Sequence, residues 1–140
     1  MPNTLDAAGR TARGERGGLF GVPANLDLSP FQGASLVQVC LGEFQMQLHF
    51  RLDDQPLLEV SIEGDWELRG VDDELVDAGS PRPIGEGCEL HAMLGRVITS
   101  TSVSAPRSFA LRFESGHDLH VYDSSDEYET ISIQPLGVII

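Results

Sequence analysis

Apolar and polar residues alternate most regularly in the segment from residue 108 to residue 129. A strand that buries one face and exposes the other has this two-residue period. The alternation is interrupted at residues 114–117, where Gly116 allows the chain to reverse. The segment therefore predicts a β-hairpin with one buried face. Its predicted core residues are Phe109, Leu111, Phe113, Leu119 and Val121.

Similar alternation elsewhere predicts that most of the chain is built from short strands. Residues 70–83 are acidic and contain glycine and proline, so we expect a solvated loop there. Residues 85–94 predict one short helix that ends at Gly95, a usual position for glycine after a helix. The other strands are predicted at residues 35–41, 44–50, 58–62, 97–103, 127–133 and 138–140.

Two parts of the chain, residues 33–68 and residues 95–133, have related patterns. Each part starts with a glycine and continues into a meander, in which turns separate segments of alternating apolar and polar residues. One meander cannot bury its apolar face alone, so two would bury theirs against each other. The sequence therefore predicts a mainly β (α+β) fold, in which two related antiparallel β-meanders form a small sandwich or partly open barrel with one short helix. The alignment matches Met46, Leu48, Phe50, Leu58 and Val60 with Phe109, Leu111, Phe113, Leu119 and Val121.

The length of 140 residues suits one domain with its own core. Residues 1–18 contain three arginines among glycines and alanines, a composition that predicts a flexible N-terminal tail. Residues 19–140 are predicted to form a single β-rich domain. The tail has no apolar segment typical of a secretory signal, and no apolar run approaches the ~18 residues of a membrane span. We therefore expect a cytoplasmic protein.

The formal net charge of −13 changes the range of expected partners. Nucleic acid and anionic membranes would be repelled, so neither is expected to bind. A basic protein partner is favoured, although solubility alone is a sufficient reason for an acidic surface. All nine basic residues are arginine, which excludes lysine-based Schiff-base chemistry.

The cysteines and histidines are the first candidates for chemistry. Cys40 lies in an apolar strand pattern and is predicted to pack in the core. Cys88 and His91 would share one face of a helix, but two ligands do not make a zinc site, and acidic neighbours raise the pKa of a thiol. His117 and His120 would point to opposite faces of a strand, which separates them as metal ligands. The sequence predicts no catalytic residue, no metal site and no cofactor.

The acidic residues form two groups, one in the loop at residues 70–83 and one after the hairpin. Neither has the alternating ligands and glycine of a calcium loop. They read either as solvated loops or as a docking surface for a basic protein. The candidate partner-binding residues, with the hairpin histidines, are Asp72, Asp73, Glu74, Asp77, His117, His120, Asp123, Asp126, Glu127 and Glu129.

Three short patterns in the chain resemble a family of small bacterial proteins of unknown function. The first joins Leu90 to Leu94, Gly95 and Val97, and the last is the pair Tyr128-Glu129. Between them lies the pattern Leu111-x-Phe113-x-x-Gly116-x-x-Leu119-x-Val121. Members of that family lack an established enzyme activity, so the resemblance carries over no catalytic residues.

Small, acidic, β-rich bacterial proteins are also similar in type to immunity proteins, which bind and block a cognate toxin. The first functional hypothesis is accordingly a non-enzymatic, immunity-like inhibitor of a basic toxin that uses its acidic surface. The first alternative is a small-molecule-binding or enzymatic β-barrel with a site between the two meanders. The second is a structural homodimer, which a large apolar patch along residues 138–140 would favour.

Overall fold

The computed structural model describes residues 21–42, 45–79, 89–123 and 130–140. The predicted tail at residues 1–18 lies outside the described residues, and so do Phe44 and Cys88. The second acidic group is affected too, because Asp126, Glu127 and Glu129 lie outside them, together with Tyr128 of the family resemblance.

Nearly all the regular structure in the described residues is β-strand. The first five strands are β1 (Ser35–Leu41), β2 (Met46–Arg51), β3 (Leu58–Ile62), β4 (Trp66–Arg69) and β5 (Leu75–Gly79). The other five are β6 (Ile98–Ser104), β7 (Ser108–Phe113), β8 (Asp118–Tyr122), β9 (Ile131–Gln134) and β10 (Val138–Ile139).

The strands form two antiparallel sheets of five strands each. The first sheet has the order β1-β2-β3-β9-β10, and the second has the order β5-β4-β8-β7-β6. The apolar inner faces of both sheets contribute to one continuous core. The mainly β fold predicted from the sequence is confirmed, and its form is a sandwich of two sheets rather than a closed barrel.

The core contains the apolar side chains that the alternation of apolar and polar residues predicts to be buried. All five predicted hairpin core residues, Phe109 to Val121, are buried, and so is Trp66. Phe50 of β2 packs edge-to-face with Phe31, with ring centroids 5.3 Å apart. Cys40 does not belong to this core, contrary to the prediction. It pairs with Gln47 and is half-buried, next in sequence to Val39, which pairs with the buried Leu48.

The two halves of the chain have the same strand topology. In each half, a three-stranded meander (β1–β3 or β6–β8) forms part of one sheet, and the next two strands complete the other sheet. Strands β1, β2 and β3 of the first half correspond to β6, β7 and β8 of the second half. Likewise, β9 and β10 occupy in the first sheet the position that β4 and β5 occupy in the second sheet. Each half therefore depends on a hairpin supplied by the other half.

The halves meet at an antiparallel bridge between Ser35 and Val97. Gly33 and Gly95, with φ angles of +87° and +85°, precede the two sides of this bridge. These angles favour glycine because a Cβ is strained there. The backbone hydrogen bonds around the bridge are reciprocal: Gly33 N–H to Ile98 O (2.8 Å), Gly95 N–H to Leu36 O (2.8 Å), Ile98 N–H to Ala34 O (2.8 Å) and Leu36 N–H to Arg96 O (3.1 Å).

The register corrects the predicted residue correspondence between the halves. Leu48 pairs with Val60, whereas Leu111 pairs with Leu119, so Val60 is the equivalent of Leu119. The predicted alignment, which matched Leu58 with Leu119, is two residues out of register in the third strand of each meander. The longer turn of the first meander caused the error, because alternation alone does not measure the length of a turn.

Two predicted elements have a different form. Of the predicted helix at residues 85–94, the described part is a 3₁₀ helix at Glu89–Met93, which buries Leu90 and Met93. The predicted loop at residues 70–83 contains an edge strand, β5. None of the inward–outward alternation that marks the central strands is present in β5, because its residues are all exposed or half-exposed.

Candidate functional site

The outer face of the second sheet carries most of the polar groups that the structure brings together. Strand register places Glu67, His120, Ala110 and Ser102 in one row across β4, β8, β7 and β6. The adjacent row, nearer to the β7–β8 turn, consists of Arg69, Asp118, Arg112 and Ser100. Charged, aromatic and hydroxyl side chains from four strands thus lie on one surface.

A polar groove runs along this face over β6, β7 and β8. Its volume is about 230 Å³. Ala110, Ser100 and Ser102 have short side chains, and the space they leave is bounded by longer polar residues. The residues that line the groove are Ser100, Thr101, Ser102, Ala110, Arg112, Asp118 and His120.

Arg112 and Asp118 form a bidentate ion pair at one end of the groove. Arg112 Nε donates to Asp118 Oδ1 and Nη2 donates to Oδ2, both at 2.8 Å. The hydrogen bond from Arg112 lowers the pKa of Asp118, with smaller contributions from the Arg112 charge, His120 and His117. The same hydrogen bond and charge raise the pKa of Arg112. Both side chains therefore stay ionised, and their charges cancel within the groove.

This ion pair predicts a stability difference that depends on pH. Because the folded-state pKa of Asp118 is lowered, its contribution is present above the unfolded value and is lost as pH falls through the folded value. Asp118→Asn is expected to lose about 0.2–1 kcal/mol near pH 7, since Arg112 is exposed to solvent. The loss should shrink as the pH falls below about 4. Urea unfolding of the wild type and the variant, near pH 7 and below about pH 4, measures this loss of stability.

Arg112→Gln and the double variant provide the control through a double-mutant cycle. The coupling between the two positions is expected near pH 7 and should diminish in acid. A coupling that does not change between the two pH values would contradict this assignment of the ion pair.

Tyr122 and Glu67 form a second polar contact on the same face. The Tyr122 hydroxyl donates to Glu67 Oε1 at 2.8 Å, and Arg69 Nη2 donates to the same oxygen at 3.2 Å. The tyrosine hydrogen bond lowers the pKa of Glu67. Burial, followed by this hydrogen bond, raises the pKa of Tyr122. The imidazole of His120 stacks on the Tyr122 ring, with centroids 6.3 Å apart, so both rings are held in place.

The β4–β5 and β7–β8 turns lie side by side at one end of the second sheet. A Cβ placed on Gly116 would be 3.3 Å from Val71 Cγ2, which shows how closely the two turns approach. Val71 is 70% exposed. We call the exposed surface formed by Val71, Asp72, Asp73 and Glu74 the acidic tip; His117 lies in the neighbouring turn.

The acidic tip has a defined backbone. The Asp72 N–H donates to Glu74 Oε1 at 3.0 Å, and the Gly70 N–H donates to Glu74 O at 2.8 Å. Arg69 Nη1 donates to the Asp73 carbonyl at 3.2 Å. Asp73 has a φ angle of +63°, which aspartate and asparagine adopt more readily than most residues. The carboxylates of the tip are therefore presented on an ordered turn.

The remaining predicted site residues lie apart from the acidic tip. Asp77 is half-buried, and its carboxylate accepts hydrogen bonds from the N–H groups of Ala78 (2.8 Å) and Glu89 (2.7 Å). It thus connects β5 to the 3₁₀ helix. Asp123 is only 7% exposed and follows β8 at the opposite end of the strand, where its Oδ1 accepts a hydrogen bond from Thr130 Oγ1 at 3.4 Å.

The two histidines of the hairpin have different surroundings. His117 is half-buried in the turn, where its Nδ1 is 2.8 Å from Ser115 Oγ. His120 lies on the groove. Within the described residues, no group of three or more His, Cys, Asp or Glu side chains is arranged to hold a metal ion.

Sequence reasoning did not identify Arg112, Ser100, Ser102 or Ala110 as site residues. One signal was available, because a turn centred on Ser115 places Arg112 and Asp118, each three residues from it, opposite each other. The contribution of β6 to the groove had no comparable signal. It depends on the β-bulge between Ile98 and Ser100, which sets the register of the strand.

Comparisons with known proteins do not assign the chain to a family. No protein-family model matches it. No curated protein and no solved structure gave a significant match. The resemblance to small bacterial proteins of unknown function therefore stays a prediction. In the described parts of the chain, none of the helical segments has the length and apolar character needed to cross a membrane.

Proposed function

We propose that this protein is a non-enzymatic binding protein that recognises a basic protein through the acidic tip. Its expected role is that of an immunity-like inhibitor, which blocks a basic toxin by covering its functional surface. The cytoplasm is the compartment that we propose. No catalytic residue is assigned.

The observation that carries the proposal is the position of Val71 within the acidic tip. An apolar side chain with 70% exposure stands next to the carboxylates of Asp72, Asp73 and Glu74 on an ordered turn. Protein interfaces commonly have an apolar centre with a polar rim. An interface centred on the tip would bury Val71, while the three carboxylates face the basic groups of the partner.

The overall charge supports the same partner class. A net charge of −13 attracts cationic proteins over long range and speeds their encounter with the surface. Close contacts at the tip would then determine which cationic protein remains bound. The backbone of the tip is held by hydrogen bonds, so little conformational entropy is lost when the partner binds.

The test compares two variants with equal net charge. The tip variant carries Asp72→Asn, Asp73→Asn and Glu74→Gln, which keep the hydrogen-bonding oxygen of Glu74 and suit the positive φ of Asp73. The control variant carries Asp53→Asn, Asp54→Asn and Glu63→Gln, all exposed on the first sheet's side of the molecule. Each variant changes the formal net charge from −13 to −10.

Basic proteins are captured from the host lysate on immobilised protein, and the captured species is purified for titration against the wild type and both variants. The tip variant is expected to raise the Kd at least about ten-fold, and the control less than about three-fold. Affinity should also fall between about 50 mM and about 300 mM salt. Equal effects of the two variants, or capture of no basic protein, would reject the proposal.

The structural homodimer has less support from the described residues. The apolar patch that would favour it, at residues 138–140, is interrupted because Ile140 is 2% exposed and belongs to the core. Ile139 alone is strongly exposed in that segment, at 61%. The homodimer therefore stays an alternative that no observation favours over the binding protein.

A further inference from the structure

The two sheets provide an internal comparison for the groove. Because Leu48 and Leu111 are equivalent, Gln47 of the first sheet corresponds to Ala110, and His49 corresponds to Arg112. On the neighbouring strands, Cys40 corresponds to Ser102 and Gln38 to Ser100. These equivalences compare the same surface in the two halves of one chain.

The outer face of the first sheet has larger side chains at two of these positions, those of Ala110 and Ser100, whereas Cys40 is as short as Ser102. Gln47 occupies the place of Ala110, and Gln38 Oε1 is 3.1 Å from His49 Nδ1 and connects β1 to β2. The fold therefore accommodates long side chains at this register. The short side chains of Ala110 and Ser100 are therefore a property of the second sheet and are not required by the topology.

We propose that the groove binds a neutral, polyhydroxylated ligand of about the size of one sugar ring. The volume of about 230 Å³ leaves room for several water molecules and is below the ~300–1,000 Å³ of pockets that hold drug-sized ligands. A ring with several hydroxyl groups would displace these waters and replace their hydrogen bonds. This inference does not rest on the acidic tip or on a protein partner.

The polar groups of the groove suit hydroxyl groups because they include both donors and acceptors. Arg112 supplies N–H donors beyond the two that Asp118 uses, and Asp118 supplies acceptor oxygens. The hydroxyls of Ser100 and Ser102 can both donate and accept. Each hydroxyl of the ligand also donates one hydrogen bond and accepts others, so adjacent hydroxyls match the planar ion pair.

The charge of the groove favours a neutral ligand over an ion. The Arg112–Asp118 ion pair is bidentate and cancels its own charge. An anion would also be opposed by the net charge of −13, and a cation would meet the Arg112 guanidinium at the groove. The methyl group of Ala110 and the ring of His120 supply apolar surface for the carbon atoms of a sugar ring.

The test is an NMR titration of the ¹⁵N-labelled full chain with glucose, galactose, mannose and N-acetylglucosamine, each up to about 100 mM. At least one sugar is expected to shift the amide signals of Ala110 and His120 in a saturable way, with a Kd on the order of 1–10 mM. Acetate and phosphate, titrated over the same range, should not produce saturable shifts there.

Ala110→Gln places in the groove the residue that the first sheet has at the equivalent position. It is expected to weaken sugar binding at least about ten-fold, while Gln47→Ala on the first sheet leaves the Kd unchanged within about two-fold. Ser102→Gln blocks the same groove from an exposed position. It replaces Ala110→Gln in the test if the buried position of Ala110 does not tolerate glutamine. No saturable sugar binding, tighter binding of an anion, or unchanged affinity in the groove variants would overturn the proposal.

Discussion

Phe50→Ala is expected to lower the free energy of unfolding by about 3–5 kcal/mol. Phe50 is fully buried in β2, opposite Leu58 of β3. Its ring also meets the Phe31 ring edge-to-face, at 86° between planes, and such a pair adds about 0.5–1.5 kcal/mol beyond burial. Alanine would remove the aromatic contact and leave a cavity between the sheets.

Urea unfolding followed by circular dichroism measures the loss. Phe50→Leu keeps most of the apolar volume, so it should lose less than half as much as Phe50→Ala. Leu57→Ala, at a residue that is 45% exposed, is the surface control and should change stability within about 0.5 kcal/mol. If Phe50→Ala loses no more than this control, the packing assigned to β2 is wrong.

Ile133→Ala is expected to lower the free energy of unfolding by about 2–5 kcal/mol. Ile133 is fully buried in β9, where it pairs with Val60 of β3 and with Val138 of β10. It therefore lies in the hairpin that the second half of the chain supplies to the first sheet. A large loss is expected because this hairpin fills part of the shared core.

Ile139→Ala is the matched control, because it removes the same side chain from the same hairpin. Ile139 is 61% exposed, so its loss should stay within about 0.5 kcal/mol. Chemical denaturation at one protein concentration compares the two variants. Equal losses would mean that β9 does not pack into the core as described.

The strands in the centre of the sheets could be predicted from the sequence because burial on one face produces alternation. Phe109 to Val121 show this, and every predicted core residue of that hairpin is buried. The edge strand β5 could not be predicted in the same way, since Leu75 and Val76 are both exposed. Between Ile62 and Trp66 the chain crosses from β3 in the first sheet to β4 in the second, and alternation within a strand does not indicate which sheet the next strand joins.

The candidate site was less predictable than the fold. The exposed carboxylates of Asp72, Asp73 and Glu74 follow from an acidic turn, and their predicted exposure agrees with the structure. The burial of Asp123 depends on contacts outside its own strand, with the Arg107 carbonyl and the Thr130 hydroxyl, and no local pattern indicates it. The groove requires the register of β6 against β7, which long-range pairing determines.

The exchange of hairpins between the halves has a consequence for the order of folding. During synthesis, β1, β2 and β3 are complete long before β9 and β10, which must pair beside β3. Until then, β3 presents an unpaired edge, and such edges promote association with other chains. Pairing between strands so distant in sequence also slows folding, to milliseconds or about a second for comparable β-proteins. The newly made chain therefore passes through a period in which the exposed edge of β3 can pair with strands of other chains. This period ends when β9 pairs with β3 and β10 pairs with β9.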